Sequence, residues 1–203
     1  VEIREVPKPT PGPTQVLVRV RASGLNRADL IMASGRAHGA HGGAGAILGL
    51  EFAGEVVETG SQVTGIKVGD RVMCSGNAGY AEYAVTDYGR VAKIPANNMT
   101  YTQAATLPIA LQTMHNALVT AGRLKKGESV LIQGASSGVG IMGMQIAKFM
   151  GAALVIGSST NEGRRARLKE FGADLAIDTK DPGWADAVVK ATDGKGVDLI
   201  VDQ

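Results

Sequence analysis

The chain has 203 residues, 44 % apolar and 20 % charged, with 21 Lys and Arg against 19 Asp and Glu for a formal charge of +2. That length carries one large core or two small ones and excludes a disordered tail. No run approaches the ~18 apolar residues of a membrane-spanning helix, and the near-neutral balance leaves no electrostatic footprint for nucleic acid. The single cysteine, Cys74, excludes an internal disulfide and a multi-cysteine zinc site and reads as a reducing, cytoplasmic setting. Glycine is abundant at 28 residues and aromatics are scarce at 4 %, which suits tight turns and close approach of backbone to a ligand.

The first half reads as short strands. A proline-rich lead, 7–13, precedes the run Q-V-L-V-R-V-R-A (15–22), where Val16, Val18 and Val20 share one face and Arg19 and Arg21 the other. Strands are predicted at 51–60, 68–73, 81–85 and 91–95, a spacing that suggests a compact barrel-like domain. The Gly- and Ala-rich stretch 36–46 has no periodicity and reads as a flexible loop.

The period changes near residue 100. Residues 102–119 are helical in composition, interrupted by Pro108. Strands at 129–134, 153–157, 175–178 and 198–202 then alternate with helices at 138–151, 164–172 and 181–191. That alternation predicts a doubly wound parallel sheet. A dinucleotide fold normally has about six strands, so a terminus at Gln203 leads to the expectation of a truncated sheet cut from a longer enzyme.

Between strand 129–133 and the following helix lies G-A-S-S-G-V-G (134–140). Small residues let backbone approach a pyrophosphate, and a helix N-terminus offers free N–H groups and partial positive charge. The strict G-x-G-x-x-G is absent, with Ala135, Ser137 and Gly140 at its positions, but the strand–turn–helix context favours dinucleotide binding over a plain turn. Ala135, Ser136, Ser137, Gly138, Val139 and Gly140 are the candidate phosphate-binding residues. At the end of the next strand, G-S-S-T-N-E-G-R-R (157–165) has hydroxyls where an NAD-selecting acid would stand, with Arg164 and Arg165 after them. Ser158, Ser159 and Arg164 therefore suit a 2′-phosphate, and NADPH is favoured over NADH. The alternative makes one or both arginines ordinary solvated charges on a helical turn.

The segments G-L-N-R-A-D-L (24–30), L-G-L-E-F-A-G-E-V (48–56), V-G-D-R-V (68–72), G-Y-A-E-Y (79–83), A-A-T-L-P (104–108) and G-A-S-S-G-V-G (134–140) resemble the medium-chain dehydrogenase/reductase superfamily. The likeness covers essentially the whole chain and is greatest to the zinc-free quinone oxidoreductase branch, zeta-crystallin-like and stress-inducible quinone oxidoreductase-like. It implies a GroES-like catalytic barrel over 1–110, lacking a first strand, and a Rossmann domain over 111–203, lacking its last part. It also implies a homodimer in the full-length protein.

Zinc-dependent relatives take metal ligands at three positions that here carry Asn26, Leu50 and Ile109. Leu and Ile cannot ligate zinc, so no metal site is expected. His38 and His41 read as loop surface residues and His115 as a packed or capped helix residue. Without a Lewis acid, the implied chemistry is hydride delivery from NADPH to a small quinone or α,β-unsaturated carbonyl. By resemblance, Asn26 lies near nicotinamide and substrate, and Thr113 approaches the nicotinamide. Asn26 as a turn residue and Thr113 as a helix residue bonding its own backbone are the plainer alternatives. Some enoyl reductases carry a Tyr shortly after the Asn as proton donor; here Leu30, Ile31 and Met32 stand there. Tyr80 is a possible pocket wall or a barrel-packing aromatic, Asp29 and Glu51 are polar residues near the cleft, and Cys74 is a buried small hydrophobe. Two other functions compete: an enoyl-thioester reductase of fatty-acid or polyketide synthesis, and a non-catalytic crystallin-like binding protein.

Overall fold

The computed structural model describes residues 1–202 except Ala40, Ala44 and Asn97, and of His38 and His41 only the backbone. The expectation for those two histidine side chains thus lies outside the described residues. The chain divides into two compact units, 1–109 and 110–203.

In the first unit, β1 (Gln15–Ser23), β4 (Glu51–Thr59), β5 (Arg71–Ser75), β6 (Tyr83–Asp87) and β7 (Val91–Lys93) form an antiparallel sheet in the order β6-β1-β4-β5-β7. One face packs Val16, Val18, Phe52, Val56, Val72, Cys74 and Ala84 into a core. The other takes Ala53 and Ile94 against Ala104 and Ala105 at the end of α2 (Tyr101–Ala104). β5 begins three residues later than expected because Asp70 makes a turn of 67–70: its carboxylate accepts from the Lys67 N–H at 2.9 Å. The stretch expected to be a flexible loop holds a small antiparallel ribbon, β2 (Ala37–His38) on β3 (His41–Gly42). The helix α1 (Arg27–Ala33) precedes it.

The second unit is a parallel sheet in the order β10-β9-β8-β11, made from β8 (Ser129–Ile132), β9 (Leu154–Ser158), β10 (Leu175–Ile177) and β11 (Leu199–Val201). Both faces are covered, which is why its strands read as unbroken apolar runs. Val130, Ile132 and Val155 pack with Met144 and Ala147 of α4 (Gly138–Phe149); Leu131 and Ile156 point the other way, against Val188 of α6 (Trp184–Ala191). Pro108 opens α3 (Pro108–His115) as its first residue, where its missing N–H costs nothing. A π-helical turn (Asn116–Ala121) ends that segment. The helix expected at 164–172 is instead α5 (Glu162–Ala166), begun early by the Asn161 cap, and a separate 3-10 turn (Leu168–Phe171) closed by left-handed Gly172. The described fold is thus a GroES-like domain on an antiparallel sheet followed by a Rossmann-type parallel sheet. Among the described residues no helix is long and apolar enough to cross a membrane.

Candidate functional site

In the first unit the singled-out residues come together through side chains far apart in sequence. Asn26 is the N-cap of α1, and its N–H donates to Asp29 Oδ2 at 2.8 Å. Its side-chain Nδ2 donates to Glu51 Oε1 at 2.9 Å, and the other Glu51 oxygen accepts from the Ile109 N–H at 2.9 Å. Gly24 makes room for this: a Cβ there would sit 2.4 Å from Glu51 Oε1 and 2.6 Å from the Ala105 carbonyl oxygen. Tyr80 reaches the same cluster, its hydroxyl donating to Asp29 Oδ2 at 2.8 Å.

Both carboxylates are buried, Asp29 at 5 % exposure and Glu51 at 4 %. Among the described residues neither is in an ion pair, and Asp29 Oδ1 has no hydrogen-bond partner. Burial pushes the Glu51 carboxyl above the usual range, against the opposing pull of the Ile109 and Asn26 donors, with nearby Asp29 adding to the rise. Burial, then the bond to Asp29, pushes the Tyr80 phenol up, so it stays protonated. Burial does the same to the Cys74 thiol, which keeps it an inert core group.

Tyr80 corrects an expectation. It is 41 % exposed rather than packed in the barrel, and its hydroxyl is the anchored end. Sequence reasoning looked for a tyrosine just after Asn26 and found Leu30, Ile31 and Met32; the tyrosine that meets this helix comes from residue 80. Nothing in local spacing signals that pairing. Leu50 and Ile109, which the resemblance puts at zinc-ligand positions, are aliphatic, and Glu51 is engaged with Asn26 and Ile109. Among the described residues no group of three His, Cys, Asp or Glu could hold a metal ion.

In the second unit, Ser137 caps α4 by accepting from the Gly140 N–H at 3.0 Å. The turn is closed on one side and open on the other. A Cβ on Gly140 would lie 2.6 Å from Ala135 Cα and 2.7 Å from the Gly134 carbonyl oxygen, whereas one on Gly138 meets nothing within 4 Å. Gly138 and Val139 open the helix, where N–H groups have no intrahelical acceptor. This cradle fits a phosphate: small, exposed at Gly138, and lined by first-turn donors.

Three expected binding residues are otherwise engaged. Ala135 has a fully buried side chain, and its N–H donates to the Ser158 carbonyl oxygen at 2.9 Å, so it builds the turn and offers a ligand no donor. Ser158 is 2 % exposed and its hydroxyl accepts from the Gly134 N–H at 3.3 Å. Ser159, also buried, donates to the Ser136 hydroxyl at 3.0 Å. These two serines tie the turn to β9; they do not stand open.

The adjacent arginines part company. Arg165 donates through Nη1 to the Ser159 carbonyl oxygen and to Asp178 Oδ2, both at 2.8 Å. Arg164 is exposed, and its guanidinium has no partner among the described residues. Successive helical residues diverge by about 100°, which is why one is structural and its neighbour free. Thr113 is exposed on α3, its hydroxyl without a partner among the described residues, which sets aside the reading that it bonds its own backbone. His115 is exposed rather than packed.

A GroES-like antiparallel-sheet domain followed by a parallel sheet with a glycine turn defines a class, and comparison with known proteins agrees. Residues 12–96 match the alcohol dehydrogenase GroES-like domain family and residues 138–203 the zinc-binding dehydrogenase family. The chain belongs to the medium-chain dehydrogenase/reductase superfamily. Residues 138–203, which match the second family, contain neither Cys nor His. The chain is 34 % identical over 202 residues to a phenolphthiocerol/phthiocerol polyketide synthase protein of Mycobacterium tuberculosis, covering all of this chain and 9 % of that protein. It is likewise 34 % identical over 194 residues to the highly reducing polyketide synthase gloL of Glarea lozoyensis, covering 94 % of this chain and 7 % of that protein. It therefore spans under a tenth of the length of these curated relatives. Among solved structures it is similar to the quinone oxidoreductase of Pseudomonas syringae pv. Tomato DC3000, at 33 % identity and TM-score 0.84 over 99 % of this chain and 61 % of that one. It is also similar to mycobacterial Rv1454c, solved in complex with NADPH, at 30 % identity and TM-score 0.84 over 98 % and 61 %.

Proposed function

We propose that the chain forms part of an NADPH-dependent reductase that reduces a quinone or α,β-unsaturated carbonyl without zinc. The observation that carries this reading is the turn 134–140. It is closed against β9 by Gly140 and Ala135 and open at Gly138, beside first-turn N–H groups that have no intrahelical acceptor and an arginine on α5 whose guanidinium has no partner among the described residues.

In this reading Gly138 and Val139 donate backbone N–H groups to the pyrophosphate. Ser136 and Ser137 shape the turn, and Arg164 meets the 2′-phosphate. Thr113 presents its free hydroxyl toward the nicotinamide. Bound NADPH supplies the hydride. Asn26 donates an N–H to the acceptor oxygen, the role that hydrogen-bond donors play where negative charge develops. Leu50 and Ile109 at the positions that the resemblance gives to zinc ligands, and the absence of Cys and His from 138–203, support zinc independence.

A second reading has support of its own. The match to a polyketide synthase over the whole chain favours an enoyl-thioester reductase within a larger assembly. Both readings reduce a conjugated acceptor, and turnover separates them. With NADPH and the intact protein, faster reduction of benzoquinones and simple enones than of a crotonyl thioester supports the first; the reverse order supports the second; no turnover with any of them refutes both.

Arg164 gives a sharper check. Arg164→Ala is expected to weaken NADPH binding on the order of tenfold or more, as loss of a charge-assisted phosphate contact does, and to leave NADH binding unchanged. Arg165→Ala is expected to lower thermal stability instead, since it frees Asp178. Equal effects of Arg164→Ala on the two cofactors would remove Arg164 from the site.

A further inference from the structure

The two Glu51 oxygens have different partners, and the difference constrains Asn26. One accepts from a main-chain donor, the Ile109 N–H, which cannot turn. The other accepts from the Asn26 amide, which can rotate by half a turn about its last bond. A carboxylate only accepts, so the amide nitrogen must face it. One N–H of Nδ2 is then engaged, and the second has no acceptor among the described residues. The main chain of Asn26 is held at the same time by its N–H on Asp29, whose Oδ2 is also gripped by Tyr80. The amide's orientation is then held from two sides, its nitrogen by Glu51 and its oxygen by the Asp29 N–H in the capping box of α1.

We propose that Glu51 is a positioning residue that makes Asn26 a hydrogen-bond donor toward the acceptor, by holding the amide nitrogen inward and leaving its second N–H to offer. This rests on the functional reading above and deepens it by stating what sets the polarity of Asn26. Gly24 is part of the device, since any side chain there would displace the carboxylate.

Glu51→Gln tests this with almost no change of shape. Gln has one acceptor where Glu has two. If its oxygen keeps the fixed Ile109 N–H, its NH2 faces Asn26 and the Asn26 amide must reverse, presenting its carbonyl to the nitrogen. If its oxygen instead faces Asn26, two N–H groups meet at Ile109 in a buried site. The first arrangement is favoured because it keeps the Ile109 N–H paired and gives up only the side-chain half of the capping box, the Asp29 N–H keeping the Asn26 carbonyl at 3.0 Å.

The measurement is a double-mutant cycle in the intact protein, with kcat for the best acceptor and NADPH affinity read separately. Glu51→Gln is expected to lower kcat on the order of tenfold with NADPH affinity unchanged. In an Asn26→Ala background the same substitution is expected to change kcat less than about twofold, because no amide remains to orient. Equal losses in both backgrounds, or an unchanged kcat in Glu51→Gln alone, would overturn the proposal while leaving the reductase reading intact. A wild-type protein that neither binds NADPH nor reduces an acceptor would overturn the reductase reading and this proposal with it.

Discussion

Gly138→Ala and Gly140→Ala are expected to fail in opposite ways. At Gly140 the new methyl would lie 2.6 Å from Ala135 Cα and 2.7 Å from the Gly134 carbonyl oxygen, both main-chain atoms that cannot swing aside. The turn must open or α4 must lift from β8. Overpacking of this kind costs about 1–3 kcal/mol, so the melting temperature falls and NADPH binding falls with it. At Gly138 the methyl meets nothing within 4 Å. Its φ is not positive, and an Ala in the first helical turn is tolerated or slightly stabilising. Folding is therefore kept while the methyl occupies the space assigned to the pyrophosphate. Gly138→Ala is expected to weaken NADPH binding by at least about tenfold, roughly one lost good contact, with an unchanged melting temperature. Thermal unfolding and a nicotinamide fluorescence titration on both variants check the pair. Unaltered NADPH affinity in Gly138→Ala would move the phosphate away from this turn.

Asn26→Ala carries the second large effect. If Asn26 donates to the acceptor oxygen, its loss lowers kcat about 10²-fold, as removal of one such donor does. NADPH affinity is expected to stay as it was, because the proposed reading gives the cofactor's phosphates to Gly138, Val139 and Arg164. A stability cost accompanies it: Glu51 Oε1 loses its donor inside a buried site, worth about 1–3 kcal/mol. Steady-state kinetics at saturating NADPH, below the melting temperature of the variant, separates the two effects. A kcat within about twofold of wild type would leave Asn26 a helix cap and nothing more.

Much of the architecture was legible in the sequence because the physics is local. Buried parallel strands announce themselves as runs such as 129–133, and 134–140 is readable from its strand–turn–helix context. Boundaries were less legible. Asp70 and Asn161 each use a side chain to decide where an element starts, and hydrophobic pattern is blind to that.

The site divided along the same line. Asn26, Glu51 and Asp29 could be singled out by resemblance, but not their bonds: Asn26 meets Glu51 across 25 positions, and Tyr80 meets Asp29 across 51. No periodicity encodes a contact of that range. The stretch 157–165 shows the converse limit. Composition gave Ser158, Ser159 and Arg164 a claim to a phosphate, with Arg165 next in line, whereas the fold buries the two serines, ties Arg165 to Asp178 and leaves Arg164 exposed.

The central claim is an NADPH site built on the turn 134–140 and Arg164. The direct measurement is a titration of the intact protein with NADPH and with NADH, followed by nicotinamide fluorescence, with and without a metal chelator. The account predicts saturable binding, tighter for NADPH than for NADH, and unmoved by chelator. Absence of binding to either cofactor would contradict it outright; binding abolished by chelator would contradict its zinc-independent chemistry; and a preference for NADH would contradict the assignment of Arg164.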